Sequence, residues 1–461
     1  MSRSSRLAAV VAAALLLGAC TAPATPSPAP AVTPWPTLTP AFGLTWQIAD
    51  VERPDDAFAI PSNPPTGPEH PGTAGHPGHF PGQAVITDVA VSGQRLVAVG
   101  FVGIGGTWRA DAWSSSDGRT WAVDPIDEAG WTFAVAIAVA PDGTFVAVGR
   151  KDREAAAWRS PDGVVWTPAV VGSLSATDAA RPGGSPGAGS SPGPGSSPGA
   201  GSSPAPGGSP GPGGSAEPAR PLDQAERMTT IVTTDEGLVA GGSVGPELGE
   251  RHARLWRSAD GLAWQPVPDD PAAFAGAEVA SIVPRATGYV ALGRLGTGGR
   301  ATGSIAWHSS DGLTWSRIDD PALAAGLAVS LVATPDGLLA VGSDGDEREA
   351  VAWSSADGTR WSRARSEPAR LHFGEKIRMT DVVVTASGYV GVGNYVGVQY
   401  GTGTSWLSTD GLHWTRAPDQ PTLGQGEPEA VIAWRDRLVI VGSRGAPDNY
   451  IPSVWLSPRL P

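Results

Sequence analysis

Cysteine is nearly absent: Cys20 is the one thiol in 461 residues. That excludes an intrachain disulfide framework and any cysteine-rich zinc site. Long hydrophobic runs are missing as well. The apolar stretch at 7–17 falls well short of the roughly 20 residues that cross a bilayer as a helix. Charge is sparse, and Lys and Arg (32) are outnumbered by Asp and Glu (45), with no basic block anywhere. Nucleic acid is therefore excluded as a partner, because phosphate contacts need clustered Lys and Arg. Tyrosine is scarce, five against 18 tryptophans, so a phenol nucleophile has few places to come from. No motif implies a cofactor. Glycine (62) and proline (45), by contrast, make up nearly a quarter of the chain, which points to long linkers or many turns. The 41% of hydrophobic residues still suffices for a sizeable core.

The N-terminus reads as an address. Arg3 and Arg6 precede the apolar run 7–17, the layout of a secretory signal peptide. The run ends in Leu17-Gly18-Ala19-Cys20, which resembles the lipobox of bacterial lipoproteins. The resemblance implies that residues 1–19 are removed and that Cys20 is acylated. The membrane is then a partner through the lipid anchor, and the chain sits at the cell membrane on its extracytoplasmic face. Each buried CH₂ contributes about 0.8 kcal/mol, so more than one acyl chain anchors stably. Residues 20–41 are rich in Thr, Pro and Ala without apolar periodicity, which suits an extended tether.

The tryptophans carry a repeat. Trp-x-Ser-x-Asp-Gly-x-x-Trp occurs six times, starting at Trp113, Trp158, Trp256, Trp307, Trp353 and Trp406. A seventh copy starts at Trp455 and is cut off, while Gly43-Leu44-Thr45-Trp46 supplies its missing second half at the other end of the chain. Two short apolar runs separated by a turn precede each copy, as at 328–333 and 338–342 around Pro335-Asp336-Gly337. Each unit thus reads as four strands, the makeup of a propeller blade. The expected fold is all-β: a seven-bladed β-propeller of four-stranded blades over 42–461, closed by N- and C-terminal strands sharing the last blade. One interval between repeats is about twice the others. It holds an insert, about 172–222, that between 182 and 215 contains only Gly, Ser, Pro and Ala and cannot bury a core.

The Ser-x-Asp-Gly-x-x-Trp segment resembles the Asp-box, or BNR repeat, of sialidase-like propellers, shortened by one residue between Asp and Gly. In that superfamily the box is a fold element on each blade's outer hairpin, away from the catalytic face. This makes Asp117, Asp162, Asp260, Asp311, Asp357 and Asp410 structural. The residues themselves agree: an Asp carboxylate bonds nearby N–H groups, Gly supplies positive φ, and Trp packs. Sialidases of the superfamily are usually six-bladed and use an arginine triad, a Tyr–Glu pair and an Asp acid/base, the first arginine lying in an Arg-Ile-Pro motif. This chain has Glu52-Arg53-Pro54 instead. The catalytic candidates under that resemblance are Arg53, Tyr395, Tyr400 and Tyr450.

Loops between second and third strands, with those between blades, share one face of a propeller, and there they read as long. They hold the binding candidates Trp108, Arg109, Arg251, His252, Arg300, Tyr395, Tyr400 and Tyr450, a mixture that suits a glycan or an envelope-protein ligand. His70, His76 and His79 could ligate a metal, though their Pro/Gly setting reads as a solvated loop. Asp344, Asp346 and Glu347 lack EF-hand spacing and read as a loop tip. Asp269-Asp270-Pro271 and Asp319-Asp320-Pro321 read as helix N-caps with proline at the first helical position. The expected function is a lipid-anchored, non-catalytic binding or assembly module, in keeping with a resemblance to Asp-box assembly factors of the photosystem II stability type. The alternative is a sialidase-like exo-glycoside hydrolase.

Overall fold

A computed structural model describes residues 45–54, 83–104, 107–172, 224–246, 249–297, 300–366, 375–396, 401–446 and 449–460. All lie in one compact unit, 36–461. The leader, Cys20, the tether, His70, His76, His79, Tyr400 and the insert beyond Gly172 fall outside the described residues.

The chain forms a seven-bladed β-propeller. Blade 1 comprises Gln83–Ser92, Arg95–Ile104, Thr107–Ser115 and Thr120–Asp127, from the innermost strand outward. The inner strands of blades 2 to 7 are Thr132–Val139, Gln224–Thr234, Ala277–Arg285, Gly326–Thr334, Lys376–Thr385 and Gly426–Trp434. Blade 7 takes its fourth strand from the other end of the chain. Gln47 pairs with Leu456 and Ile48 with Trp455, antiparallel, which closes the ring. Trp46, just before that strand, is fully buried.

Second strands are packed on both faces by neighbouring blades, so they read as near-continuous apolar runs, such as Leu338 to Val341. Each inner strand carries one bulge, from that between Ile86 and Asp88 in blade 1 to that between Pro428 and Ala430 in blade 7. A bulge sharpens the local twist and re-aims side chains. Three bulged threonines use this to donate to the next blade: Thr87 to the Ala134 carbonyl at 3.2 Å, Thr229 to Val279 at 2.5 Å and Thr380 to Pro428 at 2.8 Å.

The bulge also explains a glycine that recurs in the second strands. A Cβ on Gly100 would lie 1.9 Å from the Val85 carbonyl oxygen, and one on Gly442 would lie 2.1 Å from that of Glu427. These glycines look like strand ends in the sequence. In the fold they sit mid-strand, facing a bulge, and the strands run on past them. The second and third strands therefore reach much further than the expected long loops allow, to Ile104 and from Thr107 in blade 1, and Trp108, Arg109, His252, Arg300, Tyr395 and Tyr450 lie on strands.

The two tryptophans of each repeat have separate tasks. In four repeats the first donates its indole N–H to a carbonyl of the segment entering its own blade: Trp113 to Glu52, Trp307 to Ala273, Trp353 to Ala322 and Trp455 to Thr422, at 2.8–3.1 Å, while Trp158 donates to the Asp127 carboxylate at 3.1 Å. In five repeats the second locks its own turn, as Trp315 does by donating to the Gly312 carbonyl at 3.2 Å. Within that turn Ser309 Oγ accepts from the Gly312 N–H, and Asp311 Oδ1 accepts from Leu313 and Thr314 N–H. The Thr314 and Leu313 bonds lower Asp311 to about 2. Asp117, Asp162, Asp260, Asp357 and Asp410 make equivalent bonds and are lowered as well. The turn glycines have φ between 69° and 87°. Asp270 and Asp320 cap four-residue helices, with proline in the first turn, before blades 4 and 5.

Three blades carry a fifth strand that the repeat does not announce. Asp50–Val51, Val170–Val171 and Arg365–Ser366 each pair in parallel with the outermost strand of blade 1, 3 or 6. Each opens one of the connections whose remainder lies outside the described residues. Gly172, at the start of the insert, donates to the Trp264 carbonyl at 2.9 Å.

Replacing a buried Trp that both packs and bonds its turn should cost about 3–5 kcal/mol. Trp315→Ala is expected to lower the denaturant midpoint accordingly, whereas Leu313→Ala, exposed in the same turn, should shift it little. Equal midpoints for the two variants would contradict the blade-locking role.

Candidate functional site

Inner strands begin, and second strands end, on the face opposite the Ser-x-Asp-Gly turns. On that face Glu278, early in the inner strand of blade 4, is buried, its side chain 7% exposed. Its ladder partner is Arg294, whose Nη2 lies 2.9 Å from Oε1. Arg251 Nη1 approaches Oε2 at 2.5 Å from the lip of blade 3, Ser243 Oγ donates to it at 2.7 Å, and Arg227 Nε lies 4.0 Å away. Burial alone would raise the Glu278 carboxyl, but Arg294 and Arg251 outweigh it and hold the group below its ordinary value. A pocket of about 100 Å³ opens here, lined by Arg251, Glu278, Arg294 and Arg300 with Gly249 and Gly296. On blade 3, Arg254 is partly buried, 3.7 Å from Glu226. One carboxylate thus meets three guanidinium groups.

A second polar group lies on blades 6 and 7. Tyr450 Oη donates to Glu427 Oε1 at 3.0 Å. Burial and then Glu427 push the Tyr450 phenol up to about 12, and burial with Glu375 does the same for Tyr395. Such phenols stay protonated and act as donors at neutral pH. Glu429, at the blade 7 bulge, is raised by burial to about 7, with Arg378 opposing. Asp88 and Asp381 occupy matching positions after the bulges of blades 1 and 6, and each ties its blade to the next. Asp88 Oδ2 accepts from the Ile137 N–H at 2.9 Å, and Asp381 Oδ2 from that of Val431 at 2.8 Å. Burial raises both all the same, Asp88 to about 7.

The structure brings Arg251 and Arg300 together but scatters the other candidates. His252 Nε2 lies 2.6 Å from Asp269 Oδ1, and its ring meets Phe274 edge-on. Arg109 is fork-bonded to Asp111 at 2.7 and 3.0 Å, and Trp108 packs on Phe101 and Phe133. Arg53 is not beside the arginine pocket. It follows the strand Asp50–Val51 on the outer edge of blade 1, because the chain must cross there from blade 7. Asp344 Oδ1 accepts from the Arg348 and Glu349 N–H groups, which closes its own loop. Among the described residues no group of three or more His, Cys, Asp or Glu could hold a metal ion. No described helix is long and apolar enough to cross a membrane. Glu278, Arg294 and Arg227 escaped the sequence reading. Only the ladder register, with Glu278 directly opposite Arg294, points to them.

No known protein family matches the chain, and a search of curated proteins finds none similar to it. Solved structures do resemble it. YCF48 bound to D1 peptide is 12% identical with a TM-score of 0.44, over 82% of this chain and 92% of that one. A protein of unknown function from Dyadobacter fermentans is 13% identical with a TM-score of 0.43, over 82% and 94%. Trypanosoma rangeli sialidase in complex with the inhibitor DANA is 11% identical with a TM-score of 0.40, over 81% of this chain and 55% of that one. The resemblance concerns the fold and assigns neither ligand nor chemistry.

The two sets of carboxyls make opposite contributions to stability. Raised groups such as Asp88 and Glu429 favour the fold at low pH, and that contribution is lost as pH rises through about 7. The lowered turn aspartates favour it above their ordinary 3.8, and theirs is lost as pH falls below that. Melting temperature measured from pH 3 to 9 is expected to peak between these limits, near pH 5. A steady rise from pH 5 to 8 would contradict the assignment.

Proposed function

We propose that the chain is a binding or assembly module that takes an anionic group of its ligand into the arginine pocket of blades 3 and 4. The convergence of Arg227, Arg251 and Arg294 on one buried carboxylate, with Arg300 on the same pocket, carries this reading. A guanidinium offers a planar fork of donors that matches an oxyanion, and several such forks gathered in a half-enclosed site favour a carboxylate or similar group. On a protein partner that group is an acidic side chain or a chain terminus. On a glycan it is an acidic sugar. The leader, with Leu17-Gly18-Ala19-Cys20, supports a location outside the cytoplasm, held to the cell membrane by acyl chains on Cys20 and spaced from it by residues 21–41. The six turns support kinship with Asp-box propellers.

A second reading, a sialidase-like glycoside hydrolase, draws on the Tyr450–Glu427 contact with Glu429 two residues on. Two observations count against it. The phenol is held at about 12, and the arginines belong to blades 3 and 4 while the Tyr–Glu pair belongs to blade 7.

The test is calorimetric titration of the full chain with citrate, glucuronate and N-acetylneuraminate at low salt. At least one is expected to bind saturably, with affinity reduced tenfold or more, about 1.4 kcal/mol, in Arg294→Ala and in Arg300→Ala. Absence of saturable binding, or unchanged affinity in both variants, would overturn the anion reading.

A further inference from the structure

Blades 1 and 2 carry an aromatic cluster on the same face as the arginine pocket. Phe101 and Trp108 meet edge-on at 5.5 Å, Phe101 and Phe133 at 5.2 Å, and Trp108 and Phe133 lie 5.7 Å apart. Arg150 caps the Phe133 ring at 5.0 Å. Two residues before Phe133, in the bend that leads into the inner strand Thr132–Val139, stands Trp131. Its side chain is 47% exposed. The other exposed large hydrophobics among the described residues, Ile48, Val165, Val170, Leu313 and Leu412, lie on outer strands or in the turns of the opposite face.

The backbone under Trp131 is clamped. The Trp131 N–H donates to Asp152 Oδ1 at 3.0 Å, and the Asp152 N–H donates to the Trp131 carbonyl at 2.6 Å. Both flanking residues are left-handed: Asp152 has φ +53° and Gly130 φ +82°. A Cβ on Gly130 would lie 2.9 Å from the Asp152 carboxylate. Strained positions of this kind persist where the surroundings over-determine them, and they gather at binding sites. An indole left in water at the tip of so fixed a loop has no packing role to explain it.

The surroundings narrow the ligand. Two ion pairs border the patch, Arg109 with Asp111 and Lys151 with Asp127, and the Asp152 carboxylate is held by the Trp131 N–H. A cationic ligand would meet Arg150 over the ring already. Among the described residues the other exposed large hydrophobics lie on outer strands or in the turns of the opposite face, away from an apolar peptide seated at Trp131. What fits a rigid aromatic face bordered by paired polar groups is a molecule with an apolar ring face and polar edges. We propose that Trp131, in the clamped bend that leads into the strand carrying Phe133, is a stacking platform for a neutral hexopyranose unit of a glycan. The platform is separate from the arginine pocket and does not depend on an anion binding there.

The test uses the full chain at physiological salt, with tryptophan fluorescence and calorimetry against chitohexaose, laminarihexaose and maltohexaose. These probes are uncharged, so failure here and failure of the anion reading are distinct results. At least one is expected to bind saturably. Trp131→Ala should weaken that binding tenfold or more with an unchanged melting temperature, and Trp131→Phe, which keeps an aromatic face, should retain part of it. Saturable binding of none of the three would overturn the proposal. So would equal affinity in wild type and Trp131→Ala, or a leucine-rich hexapeptide binding at Trp131 in place of the sugars.

Discussion

The ring is closed by two residue pairs, Gln47 with Leu456 and Ile48 with Trp455, and the rest of the molecule depends on that closure. A blade is apolar on both faces and cannot bury them alone. It needs a neighbour on each side, and only a closed ring gives every blade two. The core of blade 1 accordingly includes Trp434, Val439, Val441 and Leu456 of blade 7 beside its own Leu96 and Trp113. Blade-to-blade bonds extend the same constraint around the ring. The bulged threonines and the Asp88 and Asp381 carboxylates each reach the next inner strand. On the outside, Arg435 reaches from blade 7 to the Ser116 carbonyl in the turn of blade 1.

Much of this was legible in the sequence because the repeat is strict. Each Trp-x-Ser-x-Asp-Gly-x-x-Trp marks one outer hairpin, and the split copy at Trp46 and Trp455 announces how the ring closes. The reading failed where one residue type has two uses. Glycines such as Gly149, Gly342, Gly393 and Gly442 look like the ends of strands, but the bulges opposite them demand glycine within the strand. That error turned extended hairpins into supposed long loops. The parallel fifth strands went unseen because two-residue segments such as Val170–Val171 carry no periodicity at all.

The functional face was legible only in part, for a different reason. Arg251 and Arg300 stand out as charges near turns, whereas the residue that organises them, Glu278, lies inside an apolar strand and gains its meaning from the ladder. Trp131 was hidden by excess. In a chain where most tryptophans belong to a structural motif, one more attracts no notice until its exposure is known. The same face therefore holds charge drawn together by a buried carboxylate and an aromatic ring held out into water. The charge is placed by strands and the indole by a clamped bend, and on our proposal both serve recognition.

The central claim is that this face binds and does not catalyse. Its most direct test is turnover of a fluorogenic glycoside panel, sialosides included, by folded protein at pH 5 to 7, where Glu429 changes charge. The account predicts no hydrolysis above the uncatalysed rate. Hydrolysis that is lost in Tyr450→Phe would contradict it, and would make the Tyr450–Glu427 pair the reacting centre of an enzyme.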